Sequence, residues 1–172
     1  MGSEWDGCKP DVMTVAKSVS GGVTPVSGVL ANDDVMQWIK PGEHGSTYGG
    51  NPLSMAVAKR AVEVLIEEKM PENSAEMGAY LMGKLKAMKS PLIKEVRGRG
   101  LFIGVEFKHD QKVNGNDLAK ILFSNGLITK ATHDYCIRLS PALVINKQEI
   151  DTGFEIFEKS VQTLEQLNEQ RQ

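Results

Sequence analysis

The stretch Pro10-Asp11-Val12-Met13-Thr14-Val15-Ala16-Lys17-Ser18-Val19-Ser20-Gly21-Gly22 restricts the architecture more than any other part of the chain. Val12 to Ala16 is a short, β-favouring, mostly apolar run set between Pro10-Asp11 and a glycine pair, which predicts a buried strand. That strand ends on Lys17. An ammonium there either reaches water or serves a site beside the strand end, because burying it unpaired is costly. A desolvated lysine amine gives up its proton more easily, as an imine-forming lysine must. Gly21 and Gly22 let the backbone turn with positive φ and come close to a ligand. A surface lysine leaving a strand is the plain alternative.

A second stretch bears on the choice: Pro41-Gly42-Glu43-His44-Gly45-Ser46-Thr47-Tyr48-Gly49-Gly50-Asn51-Pro52-Leu53. Asn51 suits a helix N-cap and Pro52 the first helical position, so free amides at that helix start favour an anion. Ser46 and Thr47 add hydroxyl donors suited to a phosphate. A flexible capped loop explains the same residues, since the spacing follows neither common phosphate-loop pattern.

Together the two stretches resemble the class III, fold-type I pyridoxal-phosphate aminotransferases, and within them the ornithine aminotransferases most. The resemblance implies that Lys17 is the catalytic lysine, holding pyridoxal 5'-phosphate as a Schiff base and then shuttling a proton. It implies that Thr47, with Ser46 beside it, touches the phosphate of a cofactor bound mainly by the other subunit of a homodimer. The implied fold is α/β: residues 1–70 are the C-terminal part of the large cofactor-binding domain and residues 71–172 a small α/β C-terminal domain.

Composition is that of an ordinary globular chain, 41% hydrophobic and 24% charged over 172 residues, long enough for a real core. A net charge of -2 with interspersed signs provides no field for nucleic acid or an anionic membrane. No apolar run reaches spanning length and no secretory signal is visible, so a cytoplasmic setting is expected, with the mitochondrial matrix as the variant the resemblance allows. Cys8 and Cys136 share no metal-ligand spacing with His44, His109 and His133, and no metal is expected. Met1-Gly2 lacks the Ser or Thr of a myristoylation motif, Asp6 standing in its place, and Trp5-Asp6-Gly7 reads as a loop interior to a longer chain.

Further along, Val26 to Leu30 predicts an antiparallel return of the first strand. Asp33 to Lys40 predicts a helical turn with Val35, Met36 and Ile39 inward. Leu53, Ala56, Val57, Ala61, Val64 and Leu65 keep helical spacing from Pro52. Pro71 breaks that helix, and Asn73 with Glu76 marks the next start, with Met77, Leu81, Leu85 and Met88 as its buried stripe. Ile93 to Val96 and Leu101 to Phe107 predict a hairpin around Arg97-Gly98-Arg99-Gly100, whose arginines sit in a solvated turn or bind an anion. A helix from Asn116 stops at Gly126; strands follow at Leu127 to Thr129 and Tyr135 to Leu139. A last helix from Lys147 buries Ile150, Phe154, Phe157, Val161 and Leu164, and Asn168 to Gln172 should fray.

Arg138 lies in an apolar strand, where a guanidinium calls for a planar anion, either a structural acid or a ligand carboxylate. By resemblance it is the substrate-binding arginine for the α-carboxylate of glutamate or 2-oxoglutarate. Ala16, Ala131 and Ala142 depart from the family pattern of glycine, proline and proline. His44 and His133 are read as loop-orienting. The family's upstream phosphate loop, ring-stacking aromatic, acid for the pyridine nitrogen and contacts to the ornithine α-carboxylate are not among these residues. The expectation is therefore a partial enzyme, inactive alone, needing a homodimer partner or a complementing N-terminal half. The open alternatives are another class III member, of the acetylornithine or 4-aminobutyrate type, and a non-catalytic interaction subunit.

Overall fold

The structure, a computed structural model, describes Glu4 and residues 6–171; Met1, Gly2, Trp5 and Gln172, invoked above, lie outside the described residues. The chain divides into two compact units, Met1–Glu68 and Lys69–Gln172.

In the first unit β1 (Val12–Ala16) pairs antiparallel with β2 (Ser27–Ala31), Val12 opposite Ala31 and Ala16 opposite Ser27. The hairpin expectation holds; burial of the strand does not. Val12, Thr14 and Ala16 are exposed and Met13 and Val15 only half-buried, because neither face of this two-stranded ribbon is covered by other residues of the unit. The short helix α1 (Asp33–Met36), capped by Asn32, leaves Val35, Met36 and Ile39 exposed where inward positions were expected.

The 16-residue helix α2 (Pro52–Glu67) starts at the expected N-cap. Its buried positions are Ser54 and Ala58, with Ala61 half-buried one turn on; Leu53 and Ala56 of the predicted stripe are exposed. The small-residue face is covered because the 3-10 turn Lys17–Ser20 packs on α2, burying Ser20 completely. A Cβ on Gly21 would stand 3.6 Å from the Ala61 methyl, so the turn lies close to the helix where only small side chains fit.

The second unit has its own core. Helix α3 (Met70–Ala87) buries Met77, Leu81 and Leu85 as predicted, but begins earlier than expected, on Lys69 in a left-handed conformation, with Pro71 tolerated in its first turn. Asn73 is no cap. Its amide donates to the carbonyls of Leu143 and Ile145 at 2.7 and 3.0 Å, a long-range use that replaced the local one. Strands β3 (Ile93–Arg99), β4 (Phe102–Phe107), β5 (Lys130–Thr132) and β6 (Cys136–Leu139) form an antiparallel sheet in the order β3-β4-β6-β5. Alternation along β4 buries Ile103, Val105 and Phe107 and leaves Phe102 out, matching the period-2 reading.

Helix α4 (Gly115–Ser124) begins with a capping box of Asn114 and Asp117 and buries Leu118 and Leu122. After Gly126, with φ of 88°, the Leu127 amide bonds the Leu122 carbonyl at 2.9 Å. That closure occupies Leu127, so the strand predicted at 127–129 forms later, at Lys130. Helix α5 (Lys147–Gln170) carries Ile150, Phe157, Val161 and Leu164 into the core beside α3 and α4. Its end does not fray at Asn168. That side chain is buried, accepts from the Lys112 amide at 2.9 Å and donates to Gln111 at 3.0 Å, while Arg171 pairs with Asp117 at 3.0 Å. All three helices belong to one side of the sheet, leaving the other open. Among the described residues no helix is long and apolar enough to cross a membrane.

Candidate functional site

Lys17 stands at the junction its sequence predicts: the residue after β1 and the first of the 3-10 turn. Its φ is 54°, a left-handed conformation that costs an L-residue about 1 kcal/mol or more. The turn is held from both ends. The Gly21 amide bonds the Ser18 carbonyl at 2.9 Å, and the buried Ser20 hydroxyl donates to the Thr24 carbonyl. The Lys17 side chain is exposed and has no hydrogen bond or ion pair among the described residues, so its amine is free for a ligand.

The loop between α1 and α2 is exposed throughout residues 41–50. Ser46 Oγ accepts from the Gly49 amide at 2.9 Å, which leaves its hydroxyl hydrogen to donate elsewhere. A Cβ on Gly49 would press to 2.8 Å from that oxygen, so the tight return needs glycine. The neighbouring Thr47 hydroxyl has no partner among the described residues. Asn51 closes the loop onto α2, its Oδ1 accepting from the Ser54 amide and its Nδ2 donating to the Tyr48 carbonyl, both at 2.9 Å. Ser46 and Thr47 thus keep hydroxyl donors beside glycines, which suits an anion such as a phosphate. His44 takes no part in a hydrogen bond among the described residues.

Arg138 sits on β6 in the second unit, opposite Gly104 of β4 on one side and Lys130 of β5 on the other. The open face thus carries a row of Arg97, Gly104, Arg138 and Lys130. Arg97 pairs with Glu95 at 3.0 Å and with Glu106. Lys94 and Arg97 together hold the Glu106 carboxyl down to about 2. Arg97 lies within β3, and not in the turn expected at residues 97–100, because β3 stays paired with β4 as far as Arg99 opposite Phe102. Arg138 differs: it has no acid partner among the described residues, and its guanidinium carbon lies 6.0 Å from the centre of the Phe102 ring. Its backbone carbonyl accepts from Thr129 Oγ1 at 2.6 Å, fixing the strand beneath it. Among the described residues no structural acid pairs with Arg138, so both readings left open by sequence stand.

Phe102, Thr129 and Lys130 were not singled out by sequence, because their nearness to Arg138 depends on strand register. That register is set by the turn at His133 and Asp134, both left-handed with φ of 52° and 59°. His133 shapes the backbone there, in keeping with a loop-orienting role. Among the described residues no group of three or more His, Cys, Asp and Glu is placed to hold a metal. Both cysteines are free; burial pushes the Cys136 thiol up, and Cys8 is exposed.

A family model described as aminotransferase class-III matches residues 1–161. The ornithine aminotransferase of Staphylococcus carnosus (strain TM300) is 48% identical over 157 residues, covering 91% of this chain and 39% of the relative. Among solved structures, an ornithine aminotransferase from Toxoplasma gondii, crystallised in the presence of oxidised glutathione with partial occupancy of PLP at its active site, matches with a TM-score of 0.93. Its identity is 38%, over 98% of this chain and 40% of that one. The acetylornithine aminotransferase of Elizabethkingia anophelis matches with a TM-score of 0.88 at 38% identity, over 95% and 43%. The chain spans about two fifths of the length of the curated relatives it matches.

Proposed function

The chain belongs to the class-III aminotransferases, and on that premise we propose that it is the C-terminal portion of an ornithine aminotransferase, which converts ornithine and a 2-oxo acid into glutamate 5-semialdehyde and an amino acid. Residues 1–70 complete the large cofactor-binding domain and residues 71–172 form the small domain. The observation that carries the reading is Lys17, an unpartnered amine held in a left-handed backbone at the end of β1.

Pyridoxal 5'-phosphate, when bound, supplies the electron sink for breaking the bond to the substrate's amino-bearing carbon hydrogen. The chain's own groups do the rest. Lys17 Nζ would hold the cofactor and, as a free amine, would move the proton at the substrate carbon. The Ser46 and Thr47 hydroxyls donate to a phosphate across a homodimer interface. Arg138 pairs its planar guanidinium with the α-carboxylate of glutamate or 2-oxoglutarate, and Phe102 supports it from the same face. The two free cysteines suit a reducing compartment, the cytoplasm or the mitochondrial matrix.

The 172 residues alone do not transaminate in this reading. Co-expression with the preceding three fifths of a curated relative should restore ornithine-dependent formation of glutamate 5-semialdehyde, with 2-oxoglutarate as acceptor. Borohydride should then fix the cofactor on the peptide containing Lys17, and Lys17→Ala should abolish both labelling and turnover. Labelling of a different lysine would overturn the assignment. Preference for N-acetylornithine or 4-aminobutyrate as donor would move the chain to another branch of the family, and co-purification with a full-length relative without any label would make it an interaction subunit.

A further inference from the structure

The second unit contains a cavity of about 490 Å³, within the size range of small-molecule sites. Helices α3 and α5 supply Leu81, Leu85, Ile150, Phe154 and Phe157 to its walls, and Leu139 of β6 bounds it from the helix-covered side of the sheet. Leu85, Ile150 and Phe157 are at most 2% exposed, so the cavity reaches the core.

The polar residues along it are turned elsewhere or already engaged. Lys130 and Arg138 border the cavity on β5 and β6, but they stand in register with Gly104 and Arg97 on the open face, away from the helices. The Thr129 hydroxyl donates to the Arg138 carbonyl at 2.6 Å. Glu149 is exposed, at the mouth, and its Oε2 accepts from the Asn146 amide at 2.9 Å in the capping box of α5. Among the described residues the buried side-chain oxygens and nitrogens all have partners except Thr24 Oγ1, which belongs to the first unit. Water is a poor occupant of such a space, since a buried water needs about two to four polar partners.

We infer that the cavity is a binding site for a neutral, apolar small molecule, its hydrocarbon part among Leu81, Leu85 and Phe157. At the mouth the Glu149 carboxylate keeps lone pairs beyond its cap bond, and the exposed Ser140 hydroxyl stands on the same lining, so a hydroxyl head group finds partners there. A medium-chain aliphatic alcohol has this chemistry. The corresponding carboxylate does not, because Glu149 repels it and no cation faces the chamber. The site is separate from the open face that carries Arg138, and it stands whatever the outcome for the function proposed above.

Calorimetric titration of the 172-residue chain with 1-octanol tests the site, and a single saturable event is expected. Each CH₂ moved from water into the cavity should tighten binding about threefold to fourfold, so 1-hexanol should bind about tenfold more weakly than 1-octanol. Octanoate should bind at least about tenfold more weakly than 1-octanol, its charge being left unpaired. Gly153 lines the same cavity, and a Cβ there would meet only Leu127 Cδ1, at 3.8 Å. Gly153→Leu should therefore fill the space and abolish 1-octanol binding with the helical circular dichroism unchanged. Independently of any variant, 1-octanol chain protons should give NOEs to the Leu81 and Leu85 methyls. Absence of binding, equal affinities for 1-hexanol and 1-octanol, octanoate binding as tightly as 1-octanol, or missing NOEs would each overturn the site. 1-Octanol that binds the chain but not the complemented enzyme would reveal a protein segment seated in the cavity, and would overturn the small-molecule assignment.

Discussion

The two units use apolar residues in opposite ways. Of the eighteen large hydrophobic side chains exposed among the described residues, thirteen belong to the first unit, Trp38, Tyr48 and Leu53 among them. Of the seventeen buried apolar residues, all but Ala58 belong to the second. Residues 69–172 bury a sheet face under three helices, and they meet the usual requirement for a self-sufficient core. The described residues up to 68 have local order, with side-chain caps on α1 and α2, but no covered apolar face of size. A unit of that kind has surfaces built for other chain, in keeping with relatives more than twice as long. Local order and burial are thus separate properties, and only the second unit has both.

The sharpest way to break this contrast is truncation of matched residues. Leu118→Ala or Leu164→Ala, at fully buried positions, should cost about 3–5 kcal/mol in urea denaturation followed by circular dichroism. Ile66→Ala, at a position 67% exposed, should change stability by less than about 0.5 kcal/mol. Equal costs would show that the first unit is packed after all. Next in size, Gly78→Ala places a methyl about 2 Å from the Gly100 backbone, since an ideal Cβ would stand 2.1 Å from its carbonyl carbon. Overpacking of that kind should cost about 1–3 kcal/mol, whereas Gly153→Ala, on an open stretch of α5, should stabilise by about 0.5–1 kcal/mol. Thermal midpoints moving in opposite directions check the pair.

A smaller effect sharpens the account of the first unit, whose order is local. Asn51→Ala removes the cap of α2 and should cost about 1 kcal/mol, seen as faster hydrogen exchange at the Ser54 amide with β4 amides unaffected. The smallest concerns the open sheet face. Lys94 and then Arg97 depress the Glu106 carboxyl from 4.5 to about 2. A depressed carboxyl contributes stability that is complete above its ordinary value and is lost as pH falls toward about 2. The urea midpoint of the native chain should therefore exceed that of Glu106→Gln at pH 6, and the two should converge between pH 4.5 and 2. A gap that persists at pH 2 would remove the ionised carboxylate from the explanation.

What sequence could reveal follows the same division. The period of α5 and the alternation of β4 were legible because their burying partners lie within the chain. Val12 to Ala16 has the composition of a buried strand, yet composition cannot tell whether the covering surface belongs to these residues. Asn73 was misread because a cap and a long-range tie to the Leu143 and Ile145 carbonyls use the same amide. At the candidate site, Lys17 and the Ser46-Thr47 loop were visible as local motifs. The lone state of Arg138, its ring support from Phe102 and the facing Lys130 were not, since each depends on a register fixed only by the His133-Asp134 turn.

The left-handed backbone at residue 17 has a further consequence. Glycine would occupy that conformation without steric penalty, so Lys17→Gly should relax the main chain even as it deletes the amine. Under the role proposed for Lys17, the residue that fits the backbone best is the one that discards the chemistry, a trade between folding and reactivity decided in favour of the nitrogen.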